Sequence, residues 1–334
     1  MEASGHMLSR KLSMRPSVSL GRRGLLAAVA ALAAAVGMAA TRAAAADHVL
    51  RIGVQKYGTL VILRERHTLE PLLQKLGWSV TWTEFPGGPQ LLEALNVGDL
   101  DFGITGDAPP VFAQAAGAPL VYVAAEPPAP TGEAILVPQN SKLHGIADLK
   151  GNRVALNKGS NVHFLLVQAL KSVGLGPTDI EPVYLAPADA RAAFEQGAVD
   201  AWVIWDPYLA AAQAATQARV LADGTGLATN RQFFLATRGF AEGEPAVLKL
   251  LLAQVDATDK WAEAHQPETV AMLAPILKLP VPVLQTAVAR LGYGIGPITP
   301  QVVADQQQIA DTFHDLKLIP VPVAVRDALW SPPS

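Results

Sequence analysis

The chain has 334 residues, of which half are hydrophobic and 16% are charged. This composition predicts a large folded core of one or two domains and excludes an intrinsically disordered protein. The formal net charge is −3, and the absence of cysteine excludes disulfides, thiolate metal sites and a cysteine nucleophile.

The first segment, residues 1–46, differs in composition from the rest of the chain. Basic residues extend to Arg22 and Arg23, an apolar block covers residues 25–40, and small residues follow up to Ala46. This order is typical of a secretory signal peptide that is cleaved after Ala46. The apolar block is 16 residues long, which favours a signal peptide over a retained anchor because a membrane-spanning helix needs roughly 20. The paired arginines leave both the Sec and the twin-arginine export routes open.

Removal of that segment makes the remaining chain more acidic. It takes away six of the 26 Lys and Arg residues and one of the 29 Asp and Glu residues, which leaves a net charge of −8. Such a body is repelled by phosphate backbones and anionic lipids, so nucleic acid is not expected as a partner. Because no cysteine is available for a lipid anchor, we expect an exported protein that is free in the periplasm.

From residue 49 onward, short apolar runs alternate with segments of helical periodicity. This alternation predicts βα units around largely parallel sheets. Nine strands are predicted, at residues 49–54, 80–84, 102–105, 120–125, 135–137, 154–156, 183–185, 201–204 and 233–236. Helices are predicted at residues 69–76, 162–173 and 191–196, each followed by a glycine. Beyond Pro245 only helices are predicted, at residues 246–264, 268–277, 283–290 and 301–316.

A weak internal repeat predicts two similar lobes. Residues 51–59 resemble residues 153–160, and residues 98–104 resemble residues 197–203, in the same order along the chain. The first pair has the pattern of a strand, a loop and a helix start. The alternative is chance similarity between ordinary βα units, because Gly and Asp are common before any strand.

The predicted domain organisation follows from this repeat. After the signal peptide, one lobe comprises residues 47–126 and 238–334, and the other comprises residues 127–237. Three prolines between residues 126 and 132 mark the crossing between lobes, unless they form an ordinary surface loop. Residues 231–237 are the candidate for the strand that returns to the first lobe.

Ligands of open parallel sheets bind beyond the carboxyl ends of the strands, where helix N-termini offer free N–H groups and a partial positive charge. The residues predicted to bind a ligand at these corners are Gln55, Tyr57, Gly58, Thr59, Gly87, Gly106, Gly159, Ser160, Asn161 and Trp205. Corresponding corners on the two lobes would hold one anionic group between them. The alternative for Thr59, Ser160 and Asn161 is that they only cap their helices.

Other polar and aromatic residues near these corners are given structural interpretations. Asp107 and Asp206 each precede a proline and are interpreted as helix caps, because a buried carboxylate would repel an anionic ligand. Trp202 and Trp205 lie on one short strand, so at least one of them is predicted to be in the core. His163 is interpreted as a packed or cleft-lining histidine. No catalytic residue, metal site or cofactor is predicted, since the histidines lack metal-ligand spacing.

Four blocks of the chain resemble the aliphatic sulfonate-binding proteins of ABC importers. The blocks are residues 84–98 (EFPGGPQLLEALNVG), 105–115 (TGDAPPVFAQA), 156–163 (LNKGSNVH) and 200–208 (DAWVIWDPY). The likeness extends in order from about residue 50 to residue 237. It implies an α/β type II periplasmic binding protein fold, in which two mixed and mostly parallel sheets flanked by helices are joined by two crossover strands.

The resemblance also implies a function. It is that of a monomeric periplasmic receptor, not an enzyme, which captures an organosulfonate and delivers it to the permease and ATPase of an ABC importer in the inner membrane. The sulfonate would be held by the loops that carry Gln55, Gly58, Gly159, Ser160 and Asn161. Because a sulfonate is always ionised, its affinity is expected to be nearly flat across neutral pH. The alternatives are a receptor for taurine, nitrate or a thiamine precursor, a sensor partner, or an enzyme on the same fold.

Overall fold

The computed structural model describes residues 48–331, in which the apolar runs of the sequence form ten strands. The predicted signal peptide lies outside the described residues. The strands are β1 (His48–Val54), β2 (Trp78–Glu84), β3 (Phe102–Gly106), β4 (Leu120–Ala125), β5 (Glu133–Val137), β6 (Arg153–Leu156), β7 (Glu181–Tyr184), β8 (Ala201–Trp205), β9 (Arg219–Asp223) and β10 (Gln232–Thr237). All nine predicted strands are present.

The strands form two five-stranded sheets with the same internal arrangement. The first sheet has the order β2-β1-β3-β10-β4, and the second has the order β7-β6-β8-β5-β9. In each sheet four strands run in one direction, while β10 or β5 runs antiparallel to both of its neighbours. The predicted fold of two mixed and mostly parallel sheets is confirmed.

The antiparallel strand of each sheet arrives from the other sheet. After β4 the chain passes through residues 126–132 into β5, and after β9 it passes through residues 224–231 into β10. The two crossings are joined by a hydrogen bond from Ala129 N to the Thr229 carbonyl (3.0 Å), and the first crossing is held to the start of β10 by a bond from Glu126 N to the Gln232 carbonyl (2.9 Å). They form a two-segment connection between the sheets.

The limits of the two lobes remain a prediction. The predicted second lobe, residues 127–237, includes β10, which pairs with β3 and β4 of the first sheet. A limit drawn from strand pairing therefore lies before Gln232 rather than after Thr237.

The internal repeat is present in the structure. Because β1 and β6, and likewise β3 and β8, occupy equivalent places in the two sheets, the repeat extends to their topology. One arginine–aspartate contact is also present in both copies of the repeat. Asp101 accepts hydrogen bonds from Arg51 N (2.8 Å) and Nε (3.0 Å), and Asp200 accepts them from Arg153 N (2.9 Å) and Nε (3.2 Å).

Helices flank both sheets. Within residues 48–331 there are twelve α-helices: α1 (Thr59–Arg66), α2 (Glu70–Gln74), α3 (Gly88–Asn96), α4 (Ala108–Ala115), α5 (Asn161–Ser172), α6 (Pro187–Glu195), α7 (Tyr208–Thr216), α8 (Arg238–Gly243), α9 (Pro245–Ala264), α10 (Gln266–Leu277), α11 (Val281–Val288) and α12 (Pro300–Asp315). Short 3-10 helices lie at Pro130–Gly132, Ile146–Leu149, Pro177–Asp179 and Val325–Ala328. Among the described helices, none has the length and apolar character needed to cross a membrane.

The C-terminal helices pack on the first sheet. Leu248, Leu251 and Val255 of α9 share a buried cluster with residues of β1. Ile309 and Phe313 of α12 share another cluster with residues of β4 and β10. The region beyond residue 245, which carries no recognisable motif in the sequence, therefore completes the first half of the fold.

Candidate functional site

A cleft of about 910 Å³, part of which is open to solvent, lies between the carboxyl ends of strands from both sheets. The first sheet contributes loop residues after β1, β2 and β3, and the second contributes the start of α5 and the end of β8. Six of the ten predicted site residues line this cleft, namely Gln55, Tyr57, Gly58, Gly106, Asn161 and Trp205. The predicted duplication of strand-to-helix corners thus leads to one shared cavity.

The corner after β1 presents a backbone turn and two side chains to the cleft. Gly58 has φ 111°, a conformation that favours glycine, and it directly precedes helix α1. The Gln55 amide donates a hydrogen bond to the Ile104 carbonyl (3.2 Å), which fixes it beside β3. The Tyr57 hydroxyl is buried without a hydrogen-bond partner among the described residues. Burial is the main cause that raises the pKa of Tyr57 well above its ordinary value, so this phenol remains a donor.

Thr59 lies behind the cleft wall rather than in it. Its hydroxyl is 2.8 Å from Glu126 Oε1 and 2.6 Å from Asp259 Oδ1, and the residue is buried. The sequence suggested either a ligand donor or a helix cap at this position. Neither describes the contacts observed, because no side-chain cap closes α1 and both neighbours of the hydroxyl are carboxyl groups.

The corner after β6 differs from the predicted pattern. Gly159 N donates to Nδ1 of His163 (3.2 Å), and its Cα faces the ring of Phe112. The Ser160 hydroxyl donates to the Asn157 carbonyl (2.7 Å) and is buried. Neither Gly159 nor Ser160 lines the cleft, and their polar groups are satisfied by His163 of α5 and by Asn157.

Asn161 is the polar contribution of this corner to the cleft. Its amide donates to Glu133 Oε2 (2.6 Å) and to Asn230 Oδ1 (2.9 Å), so it does not cap α5. These two bonds hold Asn161 against the start of β5 and the second crossing.

Gly106, at the end of β3, allows its loop to approach the second half of the fold closely. A Cβ atom added at Gly106 would lie 2.9 Å from Cβ of Asn161 and 3.0 Å from its Cγ. A Cβ atom added at Gly87 would lie at ordinary contact distance, 3.5 Å from Asn157 Nδ2, so this approach does not require glycine. Gly87 itself does not line the cleft, whereas the neighbouring Gly88 does.

We expect Gly106→Ala to weaken ligand binding by about 1–3 kcal/mol, roughly 5- to 140-fold in Kd, because the new methyl group would collide with Asn161. Asn161 is held by its two hydrogen bonds and cannot easily move aside. Calorimetric titration measures the effect. Gly145→Ala is the matched control, since nothing lies within 4 Å of a Cβ atom there. Unchanged affinity of Gly106→Ala would show that the two corners need not meet.

Arg290, which follows α11, is a cleft residue that the sequence did not indicate. Its Nη1 lies 3.3 Å from Asp206 Oδ2, and its Nη2 donates to Gln213 Oε1 at 3.1 Å. It lines the cleft together with a second cation, Lys56. No sequence pattern around Arg290 indicates a binding residue, because it lies in a helical region without a motif. It reaches the site because α11 packs against α7 through Val283 and Ala287.

The two aspartates interpreted as caps behave differently. Asp206 Oδ1 accepts a hydrogen bond from Ala210 N (3.0 Å), so it satisfies an N–H group in the first turn of α7 although Pro207 occupies the N-cap position. Burial raises the pKa of Asp206, and the nearby Arg290 opposes that shift. The capping role of Asp107 is wrong. No side-chain cap closes α4, and its Oδ2 accepts instead from Thr229 Oγ1 (3.1 Å) in the second crossing.

The two tryptophans of β8 and His163 have different surroundings. Trp202 is 1% exposed and packs in the core of the second sheet, while Trp205 forms part of the cleft wall. His163 is a packed histidine, with ring centroids of Phe313 and Tyr184 at 5.5 and 5.9 Å. Burial lowers its pKa to about 4, so the ring is neutral at physiological pH. Within residues 48–331, no group of three His, Asp or Glu side chains is arranged to hold a metal ion.

Sequence comparison assigns this cleft-forming chain to known relatives. Residues 74–269 match the family model described as NMT1/THI5 like. A protein of Escherichia coli (strain K12), named for binding aliphatic sulfonates, is 46% identical over 321 residues, which cover 96% of this chain and 98% of that protein. A protein of Bacillus subtilis (strain 168) with the same name is 31% identical over 92% of this chain and 94% of its own length.

Solved structures resemble the chain to a similar degree. The alkanesulfonate-binding protein SsuA from Xanthomonas axonopodis pv. citri, bound to MOPS, superimposes with a TM-score of 0.81 at 43% identity, over 86% of this chain and 99% of that one. The periplasmic aliphatic sulphonate binding protein SsuA from Escherichia coli gives 0.78 at 47% identity, over 86% and 94%. The desulfurization enzyme DszB gives 0.61 at 15% identity, a likeness of fold alone.

Proposed function

Because the chain belongs both to the NMT1/THI5-like family and to the family of aliphatic sulfonate-binding proteins, we propose that it is the substrate-binding component of an ABC importer for aliphatic sulfonates. In this role it captures the sulfonate in the periplasm and delivers it to a membrane permease and its ATPase. Residues 1–46 would direct its export and be removed.

The observation that carries the proposal is a cleft between two sheets that combines cations with free donors. Lys56 supplies positive charge, as does Arg290, whose ion pair with Asp206 neutralises the carboxylate in the same cleft. The Tyr57 hydroxyl supplies a donor that lacks a partner in the described residues. Helix α1 begins at the cleft directly after Gly58, and its N-terminus adds a partial positive charge. This set suits a headgroup that stays anionic at every physiological pH.

The proposed ligand contacts are the six predicted residues that line the cleft, with Arg290 added to them. Trp205 and Tyr57 supply apolar surface for an alkyl chain, and Gln55 and Asn161 supply amides. Gly87, Gly159 and Ser160 would act indirectly, by shaping the loops that bring the two sheets together.

Capture would proceed by closure about the two crossings. Since the crossings are joined by a hydrogen bond at Ala129, the halves can rotate about a common short connection. The ligand would stabilise the closed form that the permease recognises. We expect a monomer, because a single chain supplies both walls of the cleft.

An enzyme on the same fold is the second candidate, since DszB shares the architecture at 15% identity. We propose that this chain is a receptor. His163 is neutral and packed in the core rather than placed in the cleft, so it offers no general base there. Recovery of a bound sulfonate in chemically unchanged form would distinguish the receptor from an enzyme.

Calorimetric titration of the purified exported protein tests the proposed function. Ethanesulfonate and longer alkanesulfonates are expected to bind with one site per chain, and nitrate, taurine and a thiamine precursor are expected to bind more weakly. Absence of heat and of any thermal shift with every alkanesulfonate would contradict the proposal. Tighter binding of one of the comparison ligands would reassign the receptor to that ligand.

A further inference from the structure

One hydroxyl group lies between two buried carboxyl groups at the wall of the cleft. Thr59 Oγ1 is 2.8 Å from Glu126 Oε1 and 2.6 Å from Asp259 Oδ1. The three residues are 2%, 3% and 1% exposed, so water does not separate them. A hydroxyl has a single hydrogen to donate, and two oxygens at these distances need a hydrogen between them. At least one of the two carboxyl groups must therefore carry a proton.

The three residues, here called the acid relay (Thr59, Glu126 and Asp259), come from distant parts of the chain. Thr59 opens α1, Glu126 is the first residue of the first crossing, and Asp259 lies on α9. Glu126 lines the cleft, whereas Thr59 and Asp259 lie behind it. A proton on the Glu126 carboxyl group can therefore be donated directly to a bound ligand.

Among the described residues, no cation is paired with the carboxyl groups of the relay. Lys56 and Arg290 line the same cleft as Glu126, but Arg290 is paired with Asp206. Asp256 and Glu263 add negative charge near Asp259. Arg231, which precedes β10, donates to the backbone carbonyl of Glu126 (2.8 Å) and pairs with Asp305 at 3.7 Å, not with the Glu126 carboxylate. Tyr57 and Tyr293 also face Glu126, and both phenols are neutral because burial raises their pKa values.

Burial likewise raises the pKa of Glu126 well above its ordinary value, with the charge of Asp259 as a further cause. The pKa of Asp259 is raised to about 7, again mainly by burial. Both directions agree with the proton that the short oxygen–oxygen distances require.

We propose that the acid relay makes Glu126 a specificity-determining residue, which is protonated in the ligand-bound protein and donates its hydrogen to the anionic headgroup. Donation then runs in one direction, from Asp259 to the Thr59 oxygen, from the Thr59 hydroxyl to Glu126 Oε1, and from the other Glu126 oxygen to the ligand. In the unliganded protein one proton satisfies the relay. Binding draws a second proton from solvent, because a Glu126 carboxylate beside a sulfonate would repel it.

This inference rests on the proposed function and changes one expectation drawn from the ligand alone. A sulfonate takes up no proton, which predicts an affinity that is flat with pH. With the relay, the complex holds more protons than the free protein. The affinity therefore falls by up to tenfold for each pH unit above the pH at which unliganded Glu126 ionises.

Calorimetric titration of the wild-type protein with hexanesulfonate tests the inference, in buffers of different ionisation enthalpy between about pH 6 and 9. We expect proton uptake on binding that approaches one proton per ligand as the pH rises, with a parallel loss of affinity. Glu126→Gln keeps a neutral donor at the position, so its affinity is expected to be independent of pH and its proton uptake to vanish. Glu242→Gln, which changes an exposed carboxyl group that pairs with Arg238, is the control and should behave as wild type.

The outcomes separate the inference from the proposed function. Binding without proton uptake and with an affinity that is flat in pH would overturn the relay and leave the receptor intact. If no alkanesulfonate binds, infrared spectroscopy of the unliganded protein still decides on the relay. We expect a protonated carboxyl band near neutral pH that loses the intensity of one carboxyl group in Asp259→Asn combined with Glu126→Gln, while the buried Glu133 keeps the remainder of the band. A band of unchanged intensity in that double variant would overturn the inference.

Discussion

Arg290→Met is expected to weaken alkanesulfonate binding by about 2–4 kcal/mol, roughly 30- to 700-fold in Kd. The substitution removes a cation from the cleft wall. It also leaves the Asp206 carboxylate, whose side chain is 5% exposed, without its ion-pair partner. An unpaired buried carboxylate in the cleft repels an anionic headgroup, so the two effects act in the same direction.

Two reference variants are needed, and the affinity of each variant is measured by calorimetric titration. Arg238→Met removes an arginine whose ion pair with Glu242 is exposed, and it should bind as wild type. Adding Asp206→Asn to Arg290→Met neutralises the orphaned carboxylate and should recover part of the lost affinity. An Arg290→Met protein that is folded and binds as tightly as wild type would remove Arg290 from the proposed site.

The parts of the molecule that sequence reasoning predicted well are those encoded by local patterns. Strands β1 and β6 lie between parallel neighbours and bury the residues of their carboxyl-terminal halves, so each appears as a short apolar run in the sequence. The corners that follow them have glycines with positive φ at Gly58 and Gly159. Strand β9 was missed because it pairs only with β5 at the sheet edge, and its residues alternate too weakly in burial.

The parts that were missed depend on partners far away in the chain. Thr59 has the residue type of a ligand donor or a cap, yet its hydroxyl meets Asp259, which is 200 positions further on. Arg290 pairs with Asp206, which is 84 positions away in the sequence, and no local pattern near either residue predicts the pair. A corner of the second sheet repeats the sequence of the first, but the Gly159 N–H is taken by His163, a contact that the first corner lacks.

The free energy of unfolding of the unliganded protein is expected to fall by roughly 3 kcal/mol as the pH rises from about 4.5 to about 7. Burial raises the pKa of Asp259 to about 7 and that of Asp107 to about 6, and it raises the pKa values of Glu126 and Glu133 well above the ordinary range. The folded state therefore holds protons that the unfolded chain has already released. Each such proton costs about 1.4 kcal/mol of stability per pH unit as the pH increases.

One group acts in the opposite direction. Burial lowers the pKa of His163 to about 4, so between about pH 4 and 6.5 the unfolded chain binds a proton there that the folded protein does not. This histidine makes the free energy of unfolding increase with pH. In that range it offsets the effect of one buried carboxyl group that keeps its proton. Because Asp107 and Glu133 influence each other, as do Glu126 and Asp259, each pair holds at least one extra proton, and the net slope stays negative.

Denaturant unfolding at a series of pH values measures this slope. Asp259→Asn should make it shallower, and His163→Gln should make it steeper below about pH 6.5. Glu242→Gln, which loses only an exposed pair with Arg238, should leave the slope as in wild type. A stability that rises from pH 4.5 to 7 would mean that the buried carboxyl groups are ionised. The charges at the two crossings would then be balanced by ions or water rather than by protons held between them.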